Sequence, residues 1–174
     1  MTAEGTFPKS DGDILYASEV NDFNDGTATT KAYNVYDGTG GQTISAATVV
    51  NLDTATTDVG SIFSLSSDEI TISETGTFLF NYRVAFQRTG SAFGVAGAKI
   101  WLTKDSGAGY AAIEGSYAFA TVTLSAIETN TAIASIVLNV TTGDKFKLNI
   151  DINSGINVAI VSGVTATGLC VVKV

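Results

Sequence analysis

Residues 76–87, GTFLFNYRVAFQ, constrain the fold more than any other stretch. Phe78, Phe80, Tyr82, Val84 and Phe86 fall on alternate positions, while Thr77, Asn81 and Arg83 occupy the positions between them. Strict period-two alternation places the bulky set on one face of a β-strand, and four aromatic rings on one face cannot be left in water. The preceding Glu69–Ser73 reads as a second strand reached through a Gly turn. The rest of the chain keeps this character. Gly and Thr punctuate it throughout, Pro occurs once at Pro8, and no 3.6-residue apolar stripe appears after residue 25. The expected strands run over 47–52, 61–65, 69–73, 77–87, 98–103, 109–113, 117–124, 133–140, 145–152, 157–161 and 167–174. Such spacing belongs to an all-β sandwich or jelly roll.

A chain of 174 residues suits one domain and an additional segment. With 45% hydrophobic and only 15% charged residues, its surface must be covered largely by Thr, Ser, Asn and Gly. A surface of that kind suits oligomer contacts or harsh surroundings. The formal charge of −8 and the scattering of nine Lys and Arg provide no basic patch, so nucleic acid is not an expected partner. With no His and one Cys, neither the common zinc sites nor a His-dependent triad can be built, and Cys170 reads as a buried, inert thiol. No cofactor or metal is expected. The uncharged run 152–172 is broken by Gly155, Gly163 and Gly168 and reads as two strands and a turn, so no membrane insertion is expected. The segment MTAEGTFPKSDGD lacks the pattern of a secretory signal.

The first 41 residues differ from the remainder. Ser18 is placed to cap a short helix through Phe23, which is too short to be stable alone, so Ile14, Leu15, Val20 and Phe23 need a docking surface. Residues 27–42 are Thr-, Gly- and Tyr-rich and read as an extended linker. The expected division is therefore 1–41 for anchor and linker and 42–174 for the sandwich.

Seventeen Asp and Glu invite a search for a glycosidase pair, but most sit where solvated turns place them and no two are singled out. Asp11-Gly12-Asp13 and Asp22–Gly26 lack the closing Glu of a calcium loop, and turn chemistry accounts for them. Trp101, Tyr110 and Tyr117 suit either a carbohydrate-stacking platform or core and oligomer packing. Absence of His removes the commonest general base near neutral pH, and no enzymatic activity is expected. The Gly- and Ser-rich connections Arg88–Gly97 and Asp105–Tyr110 are the expected recognition loops, with Arg88, Phe93, Asp105 and Tyr110 as candidate contact residues.

Three motifs stand in a familiar order: Val49-Val50-Asn51-Leu52-Asp53, Gly76-Thr77-Phe78-Leu79-Phe80-Asn81-Tyr82, and Val137–Leu148 with Gly143-Asp144 at its centre. This order resembles the jelly roll shared by tumour necrosis factor and the globular heads of the first complement component, over about three quarters of the chain. The resemblance implies a ten-stranded antiparallel jelly roll, assembly as a homotrimer about a three-fold axis, loops displayed at one end and no catalytic residues. Neither a collagen-like repeat nor a membrane anchor precedes the motifs in this sequence. Residues 11–24, DGDILYASEVNDFN, resemble a segment near the start of bacterial and archaeal virus fibre, spike and tail proteins. That second resemblance implies a virion structural protein, a head fibre, spike or capsid decoration on the particle surface. Its partners would be other virion proteins of the capsid, vertex or tail, held through Ile14, Leu15, Val20 and Phe23, and a host surface glycan or protein. The alternative is a soluble lectin-like binding module of cellular origin.

Overall fold

The computed structural model describes residues 31–89, 94–124, 129–153 and 158–174. The expected helix at 18–23 and the residues Ile14, Leu15, Val20, Phe23 and Phe93 lie outside them. Among the described residues there is no helix. Fourteen strand segments form two seven-stranded antiparallel sheets: β1 Ala32–Tyr36, β2 Thr43–Ile44, β3 Thr48–Val49, β4 Thr54–Val59, β5 Phe63–Ser66, β6 Glu69–Ile72, β7 Gly76–Arg88, β8 Gly94–Asp105, β9 Ala111–Ala112, β10 Ala118–Leu124, β11 Thr129–Val140, β12 Lys145–Asn153, β13 Val158–Ile160 and β14 Gly168–Lys173.

In the first sheet β7 is central. It pairs along its whole length with β11 on one side, and with β14 and then β13 on the other; β14 continues to β1 and β4. In the second sheet the order is β10-β8-β12-β6-β5, with β3 beside β12 and β9 beside β8. The crossing of chain-distant strands between sheets is that of a jelly roll.

The aromatic face of β7 is the core. Phe78, Phe80, Tyr82, Val84 and Phe86 are all buried, and they meet Ile70, Ile100, Leu102, Phe146, Leu148 and Ile150 of the opposite sheet. The Phe80 and Phe146 ring centroids are 4.7 Å apart. Phe63 closes one end, stacked on Tyr33 at 5.3 Å and edge-on to Phe78 at 6.1 Å. Tyr82 carries the only phenol on this face of β7, and its hydroxyl donates to the Ser116 carbonyl, so the polar atom taken into the core is satisfied. The Ser116 hydroxyl in turn donates to the Ile113 carbonyl and accepts the Leu102 N–H.

Turns follow their local chemistry. The β5–β6 hairpin has a two-residue loop, Ser67-Asp68, both left-handed with φ of 51° and 64°, which is the type I′ geometry matched to strand twist. Asp68 also accepts the Leu52 N–H at 2.9 Å, tying that turn to the strand-free segment after β3.

The three largest departures from expectation are these. Residues 32–36, expected within a linker, form β1, an inner strand between β14 and β4 with Tyr33 and Val35 buried. Strand β4 lies where none was expected; it is the sheet edge, exposed along almost its whole length, so it carries no apolar alternation to read. Strand β8 starts at Gly94, so the connection expected over 88–97 is shorter, because β10 pairs with residues 94–100 and holds them extended despite their glycines.

Candidate interaction surfaces

Alternation that buries one face of each sheet leaves the other outside, and the two outer faces differ. On the first sheet the register aligns Val59, Ala32, Val172, Leu79 and Val137 in one row across β4, β1, β14, β7 and β11. Every member is apolar, and its ends are open, with Val59 at 44% and Val137 at 57% exposure. The neighbouring row is polar: Thr57, Asn34, Cys170, Asn81 and Ser135, with the Ser135 hydroxyl on Asn81 at 2.7 Å. In the next row Tyr36, Gly168 and Arg83 lead to Ile133, which is 67% exposed. Gly168 is required there by packing, because a Cβ would come within 2.7 Å of the Val35 carbonyl. The Arg83 guanidinium donates to the Val164 carbonyl, while its buried Nε has no partner among the described residues. Strand β11 forms the other edge of this sheet over twelve residues, paired with β7 alone among the described strands and lying against β10. Cys170 lies half-buried on this face rather than in the core, because its position in β14 is the outward one. Burial pushes its thiol pKa up, against the opposing pull of Arg83, which keeps it unreactive.

The outer face of the second sheet is polar and aromatic. Glu69 lies between Lys145 at 3.1 Å and Lys147 at 3.9 Å and accepts the Tyr110 hydroxyl; the Lys147 ammonium sits 4.6 Å from the Tyr110 ring centre. The Tyr110 hydrogen bond leads the effects that hold the Glu69 carboxyl below its usual range. Burial, then the same hydrogen bond, pushes the Tyr110 phenol up. Asp144, nearly fully buried, accepts from Ser106 at 2.6 Å and from the Thr141 N–H at 2.7 Å and pairs with Lys104 at 2.5 Å. Burial opposes its ionisation, and those partners together outweigh burial and keep the carboxyl low.

Further along this face Trp101 and Tyr117 lie together, ring centres 6.2 Å apart, with the Lys99 ammonium 4.8 Å from the Trp101 ring. The register places Phe119, Lys99 and Asp151 side by side, and Thr121 beside Gly97. These residues, with Ser45, border an open cleft of about 640 Å³. Phe119 is 75% exposed.

Of the sequence-predicted residues, Asp105 and Tyr110 flank one turn; Asp105 serves the structure of that turn, while Tyr110 reaches Glu69 of β6. The Asp105 carboxylate accepts the N–H groups of Gly107 at 2.7 Å and Gly109 at 2.8 Å, two residues with left-handed φ. Those N–H groups, Gly109 first, hold the Asp105 pKa down. Arg88 is the last residue of β7, opposite Val158, away from that turn in sequence and in the other sheet. The expected trio of Trp101, Tyr110 and Tyr117 divides: Trp101 and Tyr117 meet, while Tyr110 belongs to Glu69 and Lys147. Lys99, Phe119 and Asp151 were not singled out from sequence. The one available signal was outward alternation on neighbouring strands, Lys99-x-Trp101 and Tyr117-x-Phe119.

No protein-family model matches the chain, and no characterised protein matches it in sequence. Solved structures do match in fold. Murine APRIL superimposes with a TM-score of 0.60 at 14% identity, covering 83% of this chain and 99% of that one. An Eiger TNF from S. frugiperda gives a TM-score of 0.65 at 12% identity, covering 84% and 93%. The fold is thus a jelly-roll sandwich of the tumour necrosis factor type.

Proposed function

We propose that the chain is a non-catalytic homotrimeric display protein of a virus particle, a head fibre, spike or capsid decoration. The observation that carries the assembly is the apolar row Val59–Val137 on the outer face of the first sheet, beside exposed Ile133. Half-exposed apolar side chains in register across five strands, ending on the long edge strand β11, form a contiguous patch of the kind that marks an interaction site. A second copy would cover it, and closed rotational symmetry about a three-fold axis satisfies all copies at once. The tumour necrosis factor-type fold supports this arrangement.

The virion setting rests on the resemblance of residues 11–24 to the start of virus fibre and tail proteins. In this reading Ile14, Leu15, Val20 and Phe23 hold another virion protein and the sandwich faces outward. Deleting residues 1–26 should leave a folded trimer that no longer joins particles. Particles that incorporate the truncated protein at the normal level would refute the anchoring role.

A further inference from the structure

Gly97 is a glycine without a structural reason. It lies inside the twelve-residue strand β8, where glycine is a weak choice because it orders a flexible residue and supplies no side chain to pack. Its backbone is not in the left-handed region, so no conformational demand excludes a larger residue. Nor does packing: a Cβ built there meets nothing within 4 Å, whereas at Gly76 and Gly168 it would meet Lys173 or Val35 at 2.7 Å. Glycine inside a strand with open space above it is the arrangement that lets another molecule approach the backbone.

The surroundings define what that molecule is. Gly97 forms part of the floor of the 640 Å³ cleft, a volume within the range of small-ligand sites. Phe119 on one side offers a ring that is three-quarters exposed, a flat apolar face open to a ligand. Opposite it, the half-buried Asp151 carboxylate makes no hydrogen bond or ion pair among the described residues. Lys99, Thr121 and Ser45 add donors and hydroxyls at the rim. One flat apolar face and several hydrogen-bonding groups around a small open cleft match a pyranose ring, which has an apolar C–H face and a hydroxyl edge. A net charge of −8 disfavours polyanionic glycans.

We infer that the Gly97 cleft binds a neutral pyranose residue of a glycan, stacked on Phe119 and hydrogen-bonded by Asp151 and Lys99. The inference rests on the display reading for its biological setting, since recognition needs an outward-facing surface. Assembly and cleft are separable, because Ile133 and Val137 lie on the other sheet.

The test is saturation-transfer difference NMR on the full chain. The probes are the methyl glycosides of glucose, galactose, mannose, N-acetylglucosamine and N-acetylgalactosamine, with N-acetylneuraminic acid alongside. At least one neutral glycoside should receive saturation. Phe119→Ala should weaken its binding at least tenfold, and Gly97→Leu should abolish it with the circular dichroism spectrum and oligomer size unchanged. Silence from every neutral glycoside, binding of N-acetylneuraminic acid alone, or a signal that survives both Gly97→Leu and Phe119→Ala would overturn the inference. Glycoside binding by a protein that proves monomeric would keep the cleft and refute the trimer; a trimer that binds none of them would do the reverse.

Discussion

The two outer faces come from the same strand alternation, yet one is unfinished and the other is nearly complete. On the second sheet the carboxylates away from Gly97 have found neighbours: Glu69 with two lysines and Tyr110, Asp144 with Lys104, Ser106 and Thr141. Around Gly97, by contrast, the Asp151 carboxylate is left unengaged among the described residues. On the first sheet the row Val59–Val137 and Ile133 face outward, and among the described residues no ion pair crosses them and Arg83 Nε has no partner. A surface that satisfies itself can stand in water, and a local gap in it suggests a small ligand. A surface that leaves a whole apolar row uncovered calls for a macromolecular one.

The core beneath both faces sets the largest effect. Phe80→Ala removes a fully buried ring packed 4.7 Å from Phe146 and should lower stability by roughly 3–5 kcal/mol, measured by chemical denaturation. A loss within error would mean that the two sheets do not share this core, and the comparison of faces would lose its basis. Ile133→Asp should next weaken association by about 1.5–3 kcal/mol per protomer, the scale of burying one large aliphatic side chain, with the melting of the dissociated chain little changed. Equal association of mutant and wild type in a dilution series would show that this face is not the seam.

Acid should act on the second face through Glu69 and Asp144. The folded pKa values of Glu69 and Asp144 are depressed, so their contribution is present above the unfolded values near 4.5 and 3.8 and is lost as pH falls through the lower folded values. Asp37, the buried residue that follows β1 and accepts the Gly40 N–H, runs the other way, because burial raises its pKa: it favours folding at low pH and loses that contribution as pH rises through the raised value. Asp144→Asn should therefore cost roughly 1–3 kcal/mol at pH 7, through a buried acceptor that loses its charge-assisted partners. The gap from wild type should narrow below pH 4. A difference that is constant with pH would assign Asp144 a role independent of its charge. Tyr110→Phe, which removes one partly exposed hydrogen bond to Glu69, should cost only about 0.2–1 kcal/mol in thermal melting. A larger loss would make that exposed network more important to the fold than its exposure allows.

What was readable in the sequence followed from alternation. Strand β7 and its buried face were evident because five bulky residues share one parity, and Lys145–Ile152 was evident for the same reason. Strand β1 was hidden because it buries only Tyr33 and Val35 and is flanked by Thr and Gly, as a linker would be; β4 was hidden because an exposed edge needs no apolar face. The cleft could not be read at all. Phe119, Gly97 and Asp151 are separated by 22 and 54 positions from Gly97 outward, and only the register of β10, β8 and β12 brings them to one place. The apolar row is likewise a product of register, since Val59, Val172 and Val137 have no common sequence neighbourhood.

Sedimentation velocity over a concentration series tests the division of labour between the faces most directly, with wild type, Ile133→Asp/Val137→Asp and Phe119→Asp run side by side. We expect wild type and Phe119→Asp to sediment at three times 17.9 kDa, and the double variant at the mass of a single chain. A stable wild-type monomer at micromolar concentration, or a trimer broken by Phe119→Asp and untouched by the double change, would contradict the account.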